Sequence, residues 1–168
     1  MSKAFTKDDA ADEPSFVRPR APLPDGVTNY VTTRGLALLR AELAAIDAER
    51  AALESIADDA ERARAITAVG ARHAELEARV ASAALVDPNG QPHDEVRFGA
   101  TVLVRAEDGA ERTYRIVGVD EADVAHGSVA FVAPLARALL GKRVGEAAIV
   151  RSPRGDDELE VVAIDYEG

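Results

Sequence analysis

The chain has 168 residues with 20 Lys plus Arg against 30 Asp plus Glu, a net charge of −10. That balance disfavours a free-standing nucleic-acid binder, which needs local positive charge against phosphates. There is no Cys, so thiol nucleophiles, disulfide frameworks and Cys-ligated metal sites are excluded. Hydrophobic residues make up 47% but aromatics only 4%, so the core must be built from Ala, Val, Leu and Ile. No run approaches the length of a membrane span, and the opening MSKAFTKDDAADEP has no apolar segment of a secretory signal. A cytoplasmic location is therefore expected.

In chain order, residues 1–28 read as a flexible arm. Pro14, Pro19, Pro22 and Pro24 interrupt it, and it lacks apolar periodicity. Residues 29–86 are Ala-, Leu-, Glu- and Arg-rich, and no Pro occurs among them. Apolar residues recur in steps of three and four at Leu36, Leu39, Leu43, Ile46 and Leu53, and again at Ile66, Val69, Leu76, Val80 and Ala83. The rhythm breaks near residues 57–61. Folding the segment there sets Leu36 against Ala83, Leu39 against Val80, Leu43 against Leu76 and Leu53 against Ile66. The expectation is an antiparallel coiled-coil hairpin about 30–36 Å long, with a loop centred between Asp59 and Ala60. Thr32 or Thr33 would cap its first helix. Arg50 and His73 interrupt the apolar rhythm; Arg50 is expected to run along the seam and His73 to sit half-buried with a local hydrogen bond.

The break presents Asp58, Asp59 and Glu61, three carboxylates within four residues. Oxygen donors of this kind suit Mg²⁺. The same spacing also makes Asp58 a helix cap with Glu61 at the third helical position. The two roles are compatible. His73, His93 and His126 are isolated from one another in sequence and suggest no metal site.

Residues 87–92, DPNGQP, read as a linker. Most of the net negative charge lies in residues 87–168, and residues 93–168 read as a sheet domain. TVLVRA at 101–106 and RTYRIVGV at 112–119 flank an Asp108-Gly109 turn. A short strand at 129–132 precedes a two-turn helix bracketed by Pro134 and Gly141. EAAIVR at 146–151 and LEVVAID at 159–165 form a second hairpin. The expected fold class is α+β, a helical hairpin followed by an antiparallel sheet with one short helix. Asp120, Glu121 and Asp123 read as a charged loop. No catalytic triad, phosphate loop or dinucleotide fingerprint is present, so no autonomous catalytic residue is expected.

The segments VRFGATVLV, YRIVGVDEAD, PLARALLGKRVGE, RSPRG and LEVVAIDY together resemble the C-terminal domain of the bacterial transcript-cleavage factors, the Gre family. NYVTTRGLALLRAEL at 29–43 is similar to the start of that family's coiled coil. The resemblance implies an FKBP-like C-terminal domain that docks at the rim of the RNA polymerase secondary channel. It also implies a coiled coil that enters the channel, where two acidic tip residues help hold a catalytic Mg²⁺ during cleavage of backtracked RNA. Contact with nucleic acid is then expected only through the polymerase complex, with no stably bound cofactor and a monomeric chain. Asp58, Asp59 and Glu61 are the candidates for sharing Mg²⁺ with the polymerase. Pro134, Leu135, Arg137, Ala138 and Leu139 are the candidate partner contacts. The family's tip motif, Gly-Asp followed by Glu-Asn-Ala-Glu-Tyr, is replaced here by ADDAER. The hairpin is also nearer in length to relatives that bind polymerase without cleaving, including the regulator of nucleoside diphosphate kinase. The sequence therefore points to a polymerase-binding regulator with weak or no cleavage. The alternatives are a true transcript-cleavage factor and a binding protein for another bacterial enzyme such as nucleoside diphosphate kinase. Fold similarity to prolyl isomerases does not bring their activity.

Overall fold

Two cap residues set where the long helices begin. In the computed structural model, which describes residues 20–167, Thr32 is extended and its hydroxyl accepts the Gly35 N–H at 2.9 Å. Helix α1 follows as Thr33–Leu53, 21 residues. Asp58 caps helix α2, Asp59–Ala81, by accepting the Glu61 N–H at 2.7 Å. Asp59 and Glu61 occupy the first turn of α2 and Arg79 the last, the arrangement the helix dipole favours. At 1.5 Å per residue the two arms are about 32 and 35 Å long. The connection is residues 54–58, so the loop expected between Asp59 and Ala60 is displaced toward the N-terminus. The Asp58 cap is the reason, because it commits Asp59 and Ala60 to the first turn of α2. The N-terminal arm is described only from Arg20 onward; its residues 1–19 lie outside the described residues.

The hairpin seam is made largely by the residues whose spacing predicted it, with Val31, which that spacing did not include, added at its base. Val31, Leu39, Ile46, Val69 and Leu76 are buried, and Leu36, Leu43, Leu53, Val80 and Ala83 pack against them half-buried. Full burial of such a side chain contributes about 1.5–3 kcal/mol. His73 is half-buried, with Nε2 3.0 Å from Asp47 Oδ1 across the seam and Nδ1 3.8 Å from Glu77. Arg50 is exposed. At the base, the chain enters and leaves the hairpin side by side. Strand β1 (Tyr30–Val31) pairs in parallel with β2 (Ala84–Leu85). Asn29 reinforces this base by donating to the Arg79 carbonyl at 2.9 Å and to Ser82 Oγ at 3.1 Å.

The second unit is a curled five-stranded sheet with one short helix. Its elements are β3 (Thr101–Ala106), β4 (Glu111–Val117), β5 (Ser128–Ala130), α3 (Pro134–Leu139), β6 (Ala147–Ser152) and β7 (Gly155–Asp165). The strand order is β5-β4-β3-β7-β6. Gly109 supplies the positive φ of 83° that the turn between β3 and β4 requires. The 11-residue β7 pairs with both β3 and β6, and its register with β3 shifts between Leu103 and Val104, a bulge that bends the sheet. The expectation of a wholly antiparallel sheet is corrected: β5 runs parallel to β4. The ten residues 118–127 carry the chain back along β4 through a 3₁₀ turn at Val124–His126, so β5 starts from the same end as β4. Val96, Val102, Val104, Ile116, Ala136, Leu139, Ala148 and Val161 form the sealed core. Tyr166 closes it by donating its hydroxyl to the Glu95 carbonyl at 2.5 Å and accepting the Arg97 N–H at 2.9 Å.

Candidate partner interface and its geometry

The acidic tip is presented at the far end of the hairpin. Asp58, Asp59 and Glu61 are all exposed. Each has a local occupation or neighbour that follows from the start of α2. One Asp58 oxygen is committed to the Glu61 N–H. Asp59 is ion-paired with Arg62, whose other guanidinium nitrogen donates to the Ile56 carbonyl at 2.6 Å. Arg62 thereby ties the loop to the first turn. Among the described residues, no group of three or more His, Asp or Glu is gathered so as to hold a metal ion. The tip carboxylates are therefore not gathered into a Mg²⁺ site by themselves; Glu61 and the Asp59 oxygen not paired with Arg62 are the oxygen donors left open to an ion offered by a partner.

The candidate contacts on α3 divide into two groups. Pro134 and Arg137 are exposed, and Leu135 and Ala138 are half-buried, so these four can meet a partner. Leu139 is corrected: it is 0% exposed and packs inward with Ala136. The helical period decides this, since Ala136 and Leu139 are three apart and share the face that meets β6 and β5. Leu135 lies at one end of a concave cleft of ≈ 460 Å³ on the sheet domain. Val104, Tyr114, Val150 and Leu159 line the cleft along with the acidic Glu107, Asp108, Asp157 and Glu158 and a single basic residue, Arg112. An apolar lining with this many carboxylates suits a partner surface that combines apolar and basic groups.

A third cluster lies where the hairpin meets the sheet domain. The loop after β4 carries Asp120 and Glu121, with side chains 8% and 1% exposed. Asp120 accepts from Arg20 at 2.5 Å and stands 3.4 Å from Arg79 Nε near the end of α2. Glu121 accepts the hydroxyl of Thr32, the α1 cap, at 2.5 Å. Arg20 also donates to Glu42 on α1 at 2.6 Å. Burial alone would lower the pKa of Arg20, but its hydrogen bonds to Glu42 and Asp120 outweigh that and raise it, so it stays charged. On the apolar side of the same junction, Tyr30, Phe98 and Phe131 pack ring to ring, with centroids 5.5–5.8 Å apart. The sequence marked Asp120 and Glu121 as a charged loop and gave no sign of Arg20 or Arg79. Gly35, in the first turn of a helix where Gly is unfavourable, was the one local hint of a close approach.

The family model described as "Transcription elongation factor, GreA/GreB, C-term" matches residues 91–166. A transcription elongation factor GreB of Neisseria meningitidis serogroup B is 39% identical over 92 residues, covering 54% of this chain and 56% of the relative. A transcription elongation factor GreA of Anaeromyxobacter sp. (strain K) is 44% identical over 96 residues, covering 56% of this chain and 58% of the relative. The chain thus spans little more than half the length of these two. A GreA of Pseudomonas aeruginosa is 38% identical over 132 residues, which cover 76% of this chain and 84% of the relative. Among solved structures, a GreA/GreB elongation factor from Nitrosomonas europaea aligns over 83% of this chain and 99% of its own, at 22% identity and a TM-score of 0.42. No helix among the described residues is long and apolar enough to cross a membrane. The 38% identity sustained over 84% of the Pseudomonas relative shows that the chain belongs to the GreA/GreB family of transcription elongation factors.

Proposed function

We propose that this chain acts on bacterial RNA polymerase as an accessory elongation factor. In this reading the FKBP-like sheet domain docks on the polymerase through Pro134, Leu135, Arg137 and Ala138, and the hairpin carries Asp58, Asp59 and Glu61 toward the active centre. The observation that carries it is the pairing of an acidic-tipped, about 32 Å hairpin with a sheet domain of this family. The relatives bear the names of elongation factors GreA and GreB, which supports the transcript-cleavage version over the non-cleaving one that the shortened hairpin suggested. The factor has no reaction of its own; it stimulates RNA cleavage by the polymerase. One structural feature favours the non-cleaving version as the second reading. Asp58 is occupied as a cap and Asp59 by Arg62, so the tip offers fewer free carboxylate oxygens than its sequence suggests.

The test uses backtracked elongation complexes with and without the full chain, scored for shortened RNA and for bound factor. Faster cleavage that is lost in an Asp59→Asn, Glu61→Gln variant is the expected result. Binding without faster cleavage transfers the assignment to the non-cleaving reading. Failure to bind polymerase at all overturns both and leaves a different bacterial enzyme as the partner.

A further inference from the structure

We infer that Asp120 and Glu121 are positioning residues: they fix the direction in which the hairpin leaves the sheet domain. Neighbouring carboxylates on one sheet-domain loop reach the arm and both helices at the hairpin base. Asp120 takes Arg20 of the arm and faces Arg79 of α2. Glu121 takes Thr32 at the start of α1, and Arg34 approaches its second oxygen at 3.5 Å. The packed rings of Tyr30, Phe98 and Phe131 give this junction its apolar burial; the charged side adds little net stability to it, since desolvating paired charges costs roughly what their attraction returns. What the charged side adds is discrimination: another hairpin angle would part Asp120 from Arg20 and Glu121 from Thr32, in a joint where Asp120 Oδ2, Glu121 Oε1 and Arg79 Nη1 already lack a hydrogen-bond partner among the described residues.

The backbone is shaped for the same contact from both sides. A Cβ on Gly35 would lie 2.7 Å from Glu121 Oε2, and a Cβ on Gly118 would lie 2.7 Å from the Tyr30 carbonyl oxygen. At Gly118 the neighbour is backbone, so glycine is required for this approach; at Gly35 the neighbour is the end of the Glu121 side chain, which an added Cβ would push away from Thr32. Thr32 links the joint to the helix itself, because the hydroxyl that donates to Glu121 also accepts the Gly35 N–H that opens α1. Moving Glu121 disturbs the cap, and moving the helix breaks the contact with Glu121.

A lever makes this joint matter at the tip. A tilt of about 10° at the base displaces the end of an arm about 32 Å long by about 5–6 Å. Chemistry that depends on positioned groups loses about a hundredfold for a misplacement near 1 Å. The consequence at the polymerase rests on the function proposed above, whereas the angle itself is a property of the free chain and can be measured there.

The native chain lacks Cys, so two introduced cysteines can be labelled uniquely. Ala57→Cys at the tip and Ala147→Cys on β6, both exposed, take nitroxide labels for a pulsed electron-spin distance measurement on the full chain. The unmodified joint should give one narrow distance distribution. Glu121→Ala should broaden or shift it, and Glu121→Gln, whose amide oxygen still accepts from Thr32, should restore it. Gly35→Ala keeps every charge and should shift the distribution by displacing Glu121; it carries the test if Glu121→Ala unfolds the hairpin. An unchanged distribution in a folded Glu121→Ala protein, or in Gly35→Ala, overturns the inference. In elongation complexes, Glu121→Ala should stay bound while its tip-dependent effect is lost. A wild-type chain that never binds polymerase refutes the proposed function and leaves the distance result standing.

Discussion

Leu76→Ala is the substitution that most directly tests the hairpin seam. Leu76 is 1% exposed and is among the largest fully buried side chains of the molecule. Truncating a buried Leu to Ala costs about 2.7–5.0 kcal/mol, with the lower values where the surroundings can close on the cavity. Here the surroundings are two helices, and the flanking Leu36, Leu43 and Val80 are only half-buried, so partial collapse is open to them. The expected loss is therefore about 3 kcal/mol. For a chain of this size that lowers the melting temperature by about 6–12 °C. Denaturation followed by far-ultraviolet circular dichroism measures the total. Hydrogen exchange locates it, because α1 and α2 amides should lose protection while β3 and β7 keep theirs. Leu43→Ala is the internal comparison. Its half-burial reduces the sequence-based expectation of a full core cost to about 1–1.5 kcal/mol. A Leu76→Ala loss below about 1 kcal/mol, or one equal to that of Leu43→Ala, would refute the assignment of Leu76 to the centre of the seam.

Tyr166→Phe should cost about 1–3 kcal/mol, because it leaves the Arg97 N–H and Glu95 carbonyl unpaired; chemical denaturation checks this. Burial raises the Tyr166 phenol above its ordinary 10.0, so above that pH the folded chain retains a proton that the unfolded chain has released. Stability should thus be fully present below pH 10 and fall as pH rises beyond it, with a smaller fall in Tyr166→Phe; parallel denaturation series at rising pH test the sign. Asp58→Ala should destabilise α2 by about 1 kcal/mol while Asp58→Asn retains most of the cap, a difference readable in helix content and melting. Gly118→Ala should cost about 1–3 kcal/mol by forcing β1 away from the loop after β4, and a neutral result would show that the Tyr30 backbone moves freely.

The long helices, their caps, the D-G turn and the Pro134 start of α3 were legible in the sequence because each is decided within a few residues. Thr32 and Asp58 satisfy N–H groups three positions on, and the seam repeats every three or four. The acidic tip was legible for the same reason, and so was the competing cap that occupies Asp58. Three features were decided only by the tertiary structure. Leu139 was placed among partner contacts on the family resemblance of its helix, yet its helical phase relative to the sheet puts it in the core. The parallel β4–β5 pairing depends on how ten irregular residues return the chain, and no periodicity encodes that path. The hairpin joint depends on contacts such as Thr32 with Glu121, 89 residues apart, and Arg20 with Asp120, 100 residues apart. A carboxylate in a charged loop and a carboxylate buried in an ion-paired joint are written with the same letters. What separates them is which distant cation the fold brings within hydrogen-bond reach, and that is fixed only when both units have packed.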